Sequence, residues 1–110
     1  SAAAEIIEAI WDKKNPEGGY EFASSYYKGQ VSHEQFVQTM QSPEIEKIEI
    51  TSRRLVDISL VKGVSAVPGG KNVHVLYRVE LEGQDLTFNE NLFLMEEDGK
   101  WLMTGHWVQP

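Results

Sequence analysis

The chain has no cysteine. Disulfides and thiolate metal sites are therefore excluded, while the compartment stays open, because exported domains also occur without cysteine. It also lacks a long apolar run. The longest candidate, Leu92-Phe93-Leu94-Met95, is strand length and far below the ~20 residues needed to span a bilayer, so membrane insertion is not expected. Positive charge is scarce and scattered. Ten basic residues face 17 acidic ones, for a net charge of −7, and the basic positions (among them Lys13, Lys14, Lys47, Arg53, Arg54, Lys62, Lys71, Arg78 and Lys100) build no basic helix. Phosphate backbones and anionic lipid surfaces need a positive patch, which leaves nucleic acid and membrane surfaces as disfavoured partners. No Gly-x-Gly-x-x-Gly, phosphate loop or Gly-x-Ser-x-Gly elbow is present, and His33, His74 and His106 lack metal-ligand spacing. No cofactor and no metal is expected.

What remains is enough for one core. A hydrophobic fraction of 41% over 110 residues suits a single domain spanning 1–110. The chain opens on Ser1 and Ala2-Ala3-Ala4 without Met. It reads as a processed or trimmed chain, which leaves a removed signal peptide or an upstream domain open as expectations, with a slight lean to the extracytoplasmic side.

Residues 2–11 place Ile6, Ile7, Ile10 and Trp11 on one helical face, with Glu5, Glu8 and Asp12 opposite. Asn15-Pro16-Glu17-Gly18-Gly19 reads as a helix breaker. A second helix is expected over 20–28, with Tyr20, Ala23 and Tyr27 on one side and Gly29 as its stop. Ser32-His33-Glu34-Gln35 is a capping box opening a third helix through Met40, with Phe36, Val37 and Met40 buried and Ser42-Pro43 closing it. After Pro43 the period changes from 3.6 to 2. A first strand carries Ile48, Ile50, Val56, Ile58 and Leu60, bent or bulged near Ser52-Arg53-Arg54. A connection through Pro68-Gly69-Gly70 leads to Val73, Val75, Tyr77, Val79 and Leu81. A tight hairpin at 82–85, a strand over 86–95, a second hairpin at Glu97-Asp98-Gly99-Lys100 and a last strand over 101–108 follow. The fold class is α+β: N-terminal helices packed on a curved antiparallel sheet of about four strands. The last two strands are apolar on both sides, Leu92 and Leu94 against Phe93 and Met95, then Trp101 and Met103 against Leu102 and Val108. That predicts a second covered sheet face.

The stretch Gly19-Tyr20-Glu21-Phe22-Ala23-Ser24-Ser25-Tyr26-Tyr27, the segment Ser32-His33-Glu34-Gln35-Phe36 and four strands ending Asp98-Gly99-Lys100-Trp101-Leu102-Met103 resemble the nuclear-transport-factor-two-like (cystatin-like) superfamily. The likeness is nearest to its small exported bacterial domains of unknown role, and covers almost the whole chain. It implies a cone-like roll with an interior pocket. Its motifs are architectural, and the superfamily spans enzymes, carriers and interaction domains. The Asp/Tyr/Asp set of the isomerases it resembles has no residue-by-residue counterpart here.

Glu90 is the one acid on an otherwise apolar strand face (Leu86, Phe88, Leu92, Leu94) and is the candidate general base, with a bulge turning it to solvent as the structural alternative. Arg54 interrupts the Ile48/Ile50/Val56/Ile58 face. It is expected to bind an anionic group, to bridge to Glu90, or to sit exposed at a bulge. Trp11, Tyr26, Tyr27 and His106 complete the candidate pocket, the tyrosines having core packing as their alternative. Phe93, Met95, Trp101, Met103 and Trp107 are the candidate interface, because aromatic-rich sheet faces make interface cores. The resulting expectation is a non-catalytic module that binds a small apolar or amphipathic ligand and pairs as a homodimer through its sheet. An isomerase, dehydratase or hydrolase using Glu90, and an accessory domain of a larger exported protein, are the alternatives.

Overall fold

The computed structural model describes residues 2–9, 16–42, 50–61, 71–81 and 87–109. Helical elements come first: α1 (Ala2–Ile7), α2 (Pro16–Gly19), a 3-10 turn (Tyr20–Phe22), α3 (Ser25–Gln30) and α4 (His33–Met40). Four strands follow, β1 (Ile50–Val61), β2 (Asn72–Leu81), β3 (Thr87–Glu97) and β4 (Lys100–Gln109). They pair antiparallel in chain order to make one open sheet. The architecture is α+β, as the switch of period after Pro43 predicts. Among the described residues no helix is long and apolar enough to cross a membrane. The 82–85 hairpin, the Pro68-Gly69-Gly70 connection, Ile48, Ile10 and Trp11 lie outside the described residues.

Two helical expectations need correction. Pro16-Glu17-Gly18-Gly19, expected to interrupt the helical run, is itself a helical turn, separate from α1. Proline tolerates the first position because the N–H it lacks would be unbonded there. The single helix expected over 20–28 is instead divided. Ala23 is extended and bridges in parallel to Met103, and Ser24 N–H donates to the Met103 carbonyl at 2.8 Å. The Ser24 hydroxyl then accepts from Tyr27 N–H at 3.1 Å and starts α3 anew. Bonding to the edge of β4 thus wins over helix continuity. α4 forms as expected: Ser32 Oγ accepts from Gln35 N–H at 3.1 Å while Gln35 Oε1 accepts from Ser32 N–H at 2.9 Å. The β3–β4 turn also matches, with Asp98 and Gly99 at φ of 52° and 78°.

The core lies between the helices and one face of β2, β3 and β4. Ala3, Ile6, Ile7, Ala23 and Phe36 meet Val75, Tyr77, Val79, Leu92, Leu94 and Met103. The same face continues onto β1, where Leu55 is opposite Tyr77, Ile58 opposite Val75 and Leu60 opposite Val73. There the described helices do not cover it. Leu55, Ile58 and Leu60 are 52%, 58% and 60% exposed.

Two strands break strict alternation. β1 gains one residue between Ile50 and Ser52 and another between Leu55 and Asp57. Its core-side residues therefore run Ile50, then Arg53 and Leu55, then Ile58 and Leu60. β4 gains a residue between Met103 and Gly105, so that His106 and Val108 fall opposite Leu92 and Glu90.

Candidate functional site

The bulges assemble a polar cluster inside an apolar face. Glu90 is 1% exposed and sits opposite Tyr77 on β2 and Val108 on β4. A carboxylate in that position loses its water shell and requires replacement bonds. They come from both neighbouring directions. Arg53 Nε donates to Glu90 Oε1 at 2.6 Å and an Arg53 terminal nitrogen to Oε2 at 3.3 Å. His106 Nε2 lies 2.9 Å from Oε2. An ionised carboxylate only accepts, so His106 Nε2 carries the proton in this bond. The Arg53 guanidinium carbon is also 5.9 Å from the centre of the Tyr77 ring.

Burial by itself pushes the Glu90 carboxyl up, but the hydrogen bonds from His106 and Arg53, together with their charges, outweigh it and hold the group below its ordinary value. Glu90 is thus an ionised carboxylate with both oxygens engaged. With Arg53 of β1 and His106 of β4 both bonded to it, Glu90 of β3 ties three strands together. Burial, against the Arg53 charge, raises the Tyr77 phenol, which stays protonated at neutral pH.

The sequence-based pocket is brought together only in part. Glu90 and His106 meet. Arg54 does not join them: it is exposed, on the opposite sheet face and across from Arg78, and Arg53 makes the bridge instead. The physical reason is the pair of bulges, which shifts the core-facing parity from even to odd over exactly one stretch of β1. Tyr26 is 46% exposed on α3. Tyr27 packs edge-on against Phe36 at 6.3 Å, inside the helical layer, where burial and then the neighbouring Tyr20 raise its phenol. Trp11 lies outside the described residues.

The candidate interface residues divide between the two faces. Met103 is buried in the helix-side core and Trp101 packs against that core, so neither is available to a partner on the far face. Phe93 and Trp107 do lie together there: their rings stack at 4.5 Å, and His74 stacks on Phe93 at 4.6 Å, giving an aromatic row across β2, β3 and β4. Met95 is buried. Beside the row, His74 Nε2 donates to Asn91 Oδ1 at 2.8 Å, and the Asn91 amide reaches the Trp107 carbonyl and Gln109 Oε1 at 3.5 and 3.3 Å. Val108, expected with Leu102, falls on Glu90's side through the β4 bulge.

Sequence reasoning missed Arg53 and Tyr77. The signal for Arg53 was the adjacent apolar pair Leu55-Val56, which breaks alternation where a bulge must lie; for His106 it was Gly105, a residue that marks bulges in strands. Among the described residues no group of three or more His, Cys, Asp or Glu stands close enough to hold a metal ion. A family model described as "Protein of unknown function (DUF4019)" matches residues 2–106. No curated protein matches the chain.

Proposed function

We propose that this chain, which belongs to the DUF4019 family of proteins of unknown function, is a non-catalytic binding module that takes a small apolar or amphipathic group against the core-side face of β1 and self-associates through its sheet. The observation that carries the reading is the Leu55, Ile58 and Leu60 row, more than half exposed on the face that elsewhere forms the core. Apolar side chains aligned on one strand face remain in water only at a cost of about 25 cal/mol for each Å² left uncovered, and an apolar occupant removes that cost. The Arg53–Glu90–His106 cluster lies toward one end of the same face and supplies a fixed polar boundary. Helices before a meander of four antiparallel strands also support kinship with the nuclear-transport-factor-two-like superfamily, whose interior pockets lie on that side of the sheet. The enzymatic alternative is less well supported, because Glu90 is held below its ordinary value by its bonds to Arg53 and His106.

Titration of the isotopically labelled chain with decanoate, followed by amide shifts, tests this reading. Saturable shifts centred on Leu55, Ile58 and Leu60, weakened more than about tenfold by Ile58→Glu, are expected from loss of an apolar contact and burial of a charge. Saturable shifts confined to other strands, or none, overturn it.

A further inference from the structure

β1 is an edge of the sheet and, among the described residues, its outer side has no strand partner. An edge of 12 residues carrying exposed Leu55, Val56, Ile58 and Leu60 is a template for another strand. On the face away from the helices it also presents two exposed charges of opposite sign, Arg54 and Asp57. Neither has an ion pair or hydrogen bond among the described residues. Arg54 is instead opposite a like charge, Arg78, whose own guanidinium is bonded to Asn89 Oδ1 at 2.9 Å and Thr87 Oγ1 at 2.7 Å. Among the described residues the strand therefore displays an uncompensated cation and an uncompensated anion.

We propose that the occupant of this edge is a second copy of the chain, paired antiparallel through β1 about a two-fold axis at the Leu55/Val56 bulge, with Arg54 of each copy facing Asp57 of the other. The proposal rests on the self-association reading above and names its surface. Self-complementarity decides it. A two-fold axis at that point sets Arg54 against Asp57, Arg53 against Ile58 and Ser52 against Ser59 of the second copy. In a regular strand residues 54 and 57 would point to opposite faces; the extra residue at the bulge puts them on the same one. Each of these pairs then joins side chains of matching face, and the charged pair occurs twice by symmetry. On the other face the two Leu55-Ile58-Leu60 rows meet at their Leu55 ends beside the axis and run away from it in opposite directions, each Ile58 lying across from Arg53 of the other copy. Opposite charges directly across antiparallel strands favour this register, and like charges disfavour any register that sets Arg54 against Arg54.

Sedimentation equilibrium of the full chain over a wide dilution series is the test, with charge reversals as its arms. Wild type is expected at twice the mass of one chain at high concentration. Arg54→Asp and Asp57→Arg each create two like-charge contacts and are expected to weaken association more than about tenfold. The combined Arg54→Asp/Asp57→Arg variant restores opposite charges and is expected to regain it. Both side chains are exposed, so thermal melts of the three variants at dilutions where wild type is monomeric should match it, which separates lost association from lost folding. A strictly monomeric wild type overturns both this proposal and the self-association reading. A dimer indifferent to the single reversals, or not rescued by the double one, overturns this proposal alone and moves the contact to another surface.

Discussion

Glu90 places a full negative charge where the surroundings are apolar, and its three bonds to Arg53 and His106 are what make that tenable. Removing one member of such a buried pair strands the other without water or partner. Glu90→Gln is therefore expected to lower unfolding free energy by about 3–5 kcal/mol in urea titrations. The Arg53→Met/Glu90→Leu double variant should recover most of that loss, since apolar groups of similar volume often replace a buried pair at little cost. The pH dependence follows from the direction of the carboxyl's shift. A glutamate held below its ordinary value of 4.5 in the folded state binds its proton less readily there than in the unfolded chain. Its contribution to stability is thus complete above the unfolded value and is lost as pH falls through the folded one. Urea midpoints should decline below pH 4.5, and the acid limb of Glu90→Gln should be shallower than that of wild type. Equal limbs would show that Glu90 is not held below its ordinary value.

At the scale of elements, the features easiest to read were those written in local chemistry. Ser32 and Gln35 satisfy each other's backbone N–H groups whatever packs above them, so the start of α4 is evident from four residues. Asp98-Gly99 likewise announces the β3–β4 turn, because two successive left-handed residues suit a right-twisted hairpin. Ser32→Ala is expected to cost about 1 kcal/mol. Gly99→Ala, at a φ of +78°, is expected to cost a similar amount, about 1 kcal/mol, with open space around the new methyl and backbone strain as the sole cause. Thermal melts of both variants check these values. Harder to read were the places where one element borrows from another. Ser24 leaves the second helix because its N–H finds the Met103 carbonyl, 79 residues away by numbering (103 − 24), and Glu97 takes both the Ser25 N–H and hydroxyl at 3.1 and 2.8 Å. No window of sequence around Ser24 contains those partners.

For the whole molecule, the uneven cover of the sheet matters most. The described helices bury the core face over β2, β3 and β4 and leave it open at Leu55, Ile58 and Leu60 of β1. Equal truncations should therefore have unequal effects. Leu92→Ala, in the fully buried part, is expected to cost about 2–5 kcal/mol, whereas Leu60→Ala, 60% exposed, should change stability by no more than about 0.5 kcal/mol. Urea titrations of the two variants side by side make the comparison, and similar losses would mean that β1 is covered in the folded protein.

The alternation of apolar residues along each strand, the capping box and the glycine turn were enough to set the α+β class, the number of strands and their antiparallel order, because each depends on residues within a few positions of one another. Which arginine reaches Glu90 was decided only when the strands paired. One extra residue in β1 or β4 reverses the face of everything that follows it, so Arg53 and His106 turn inward and Arg54 outward by register rather than by any property of their own.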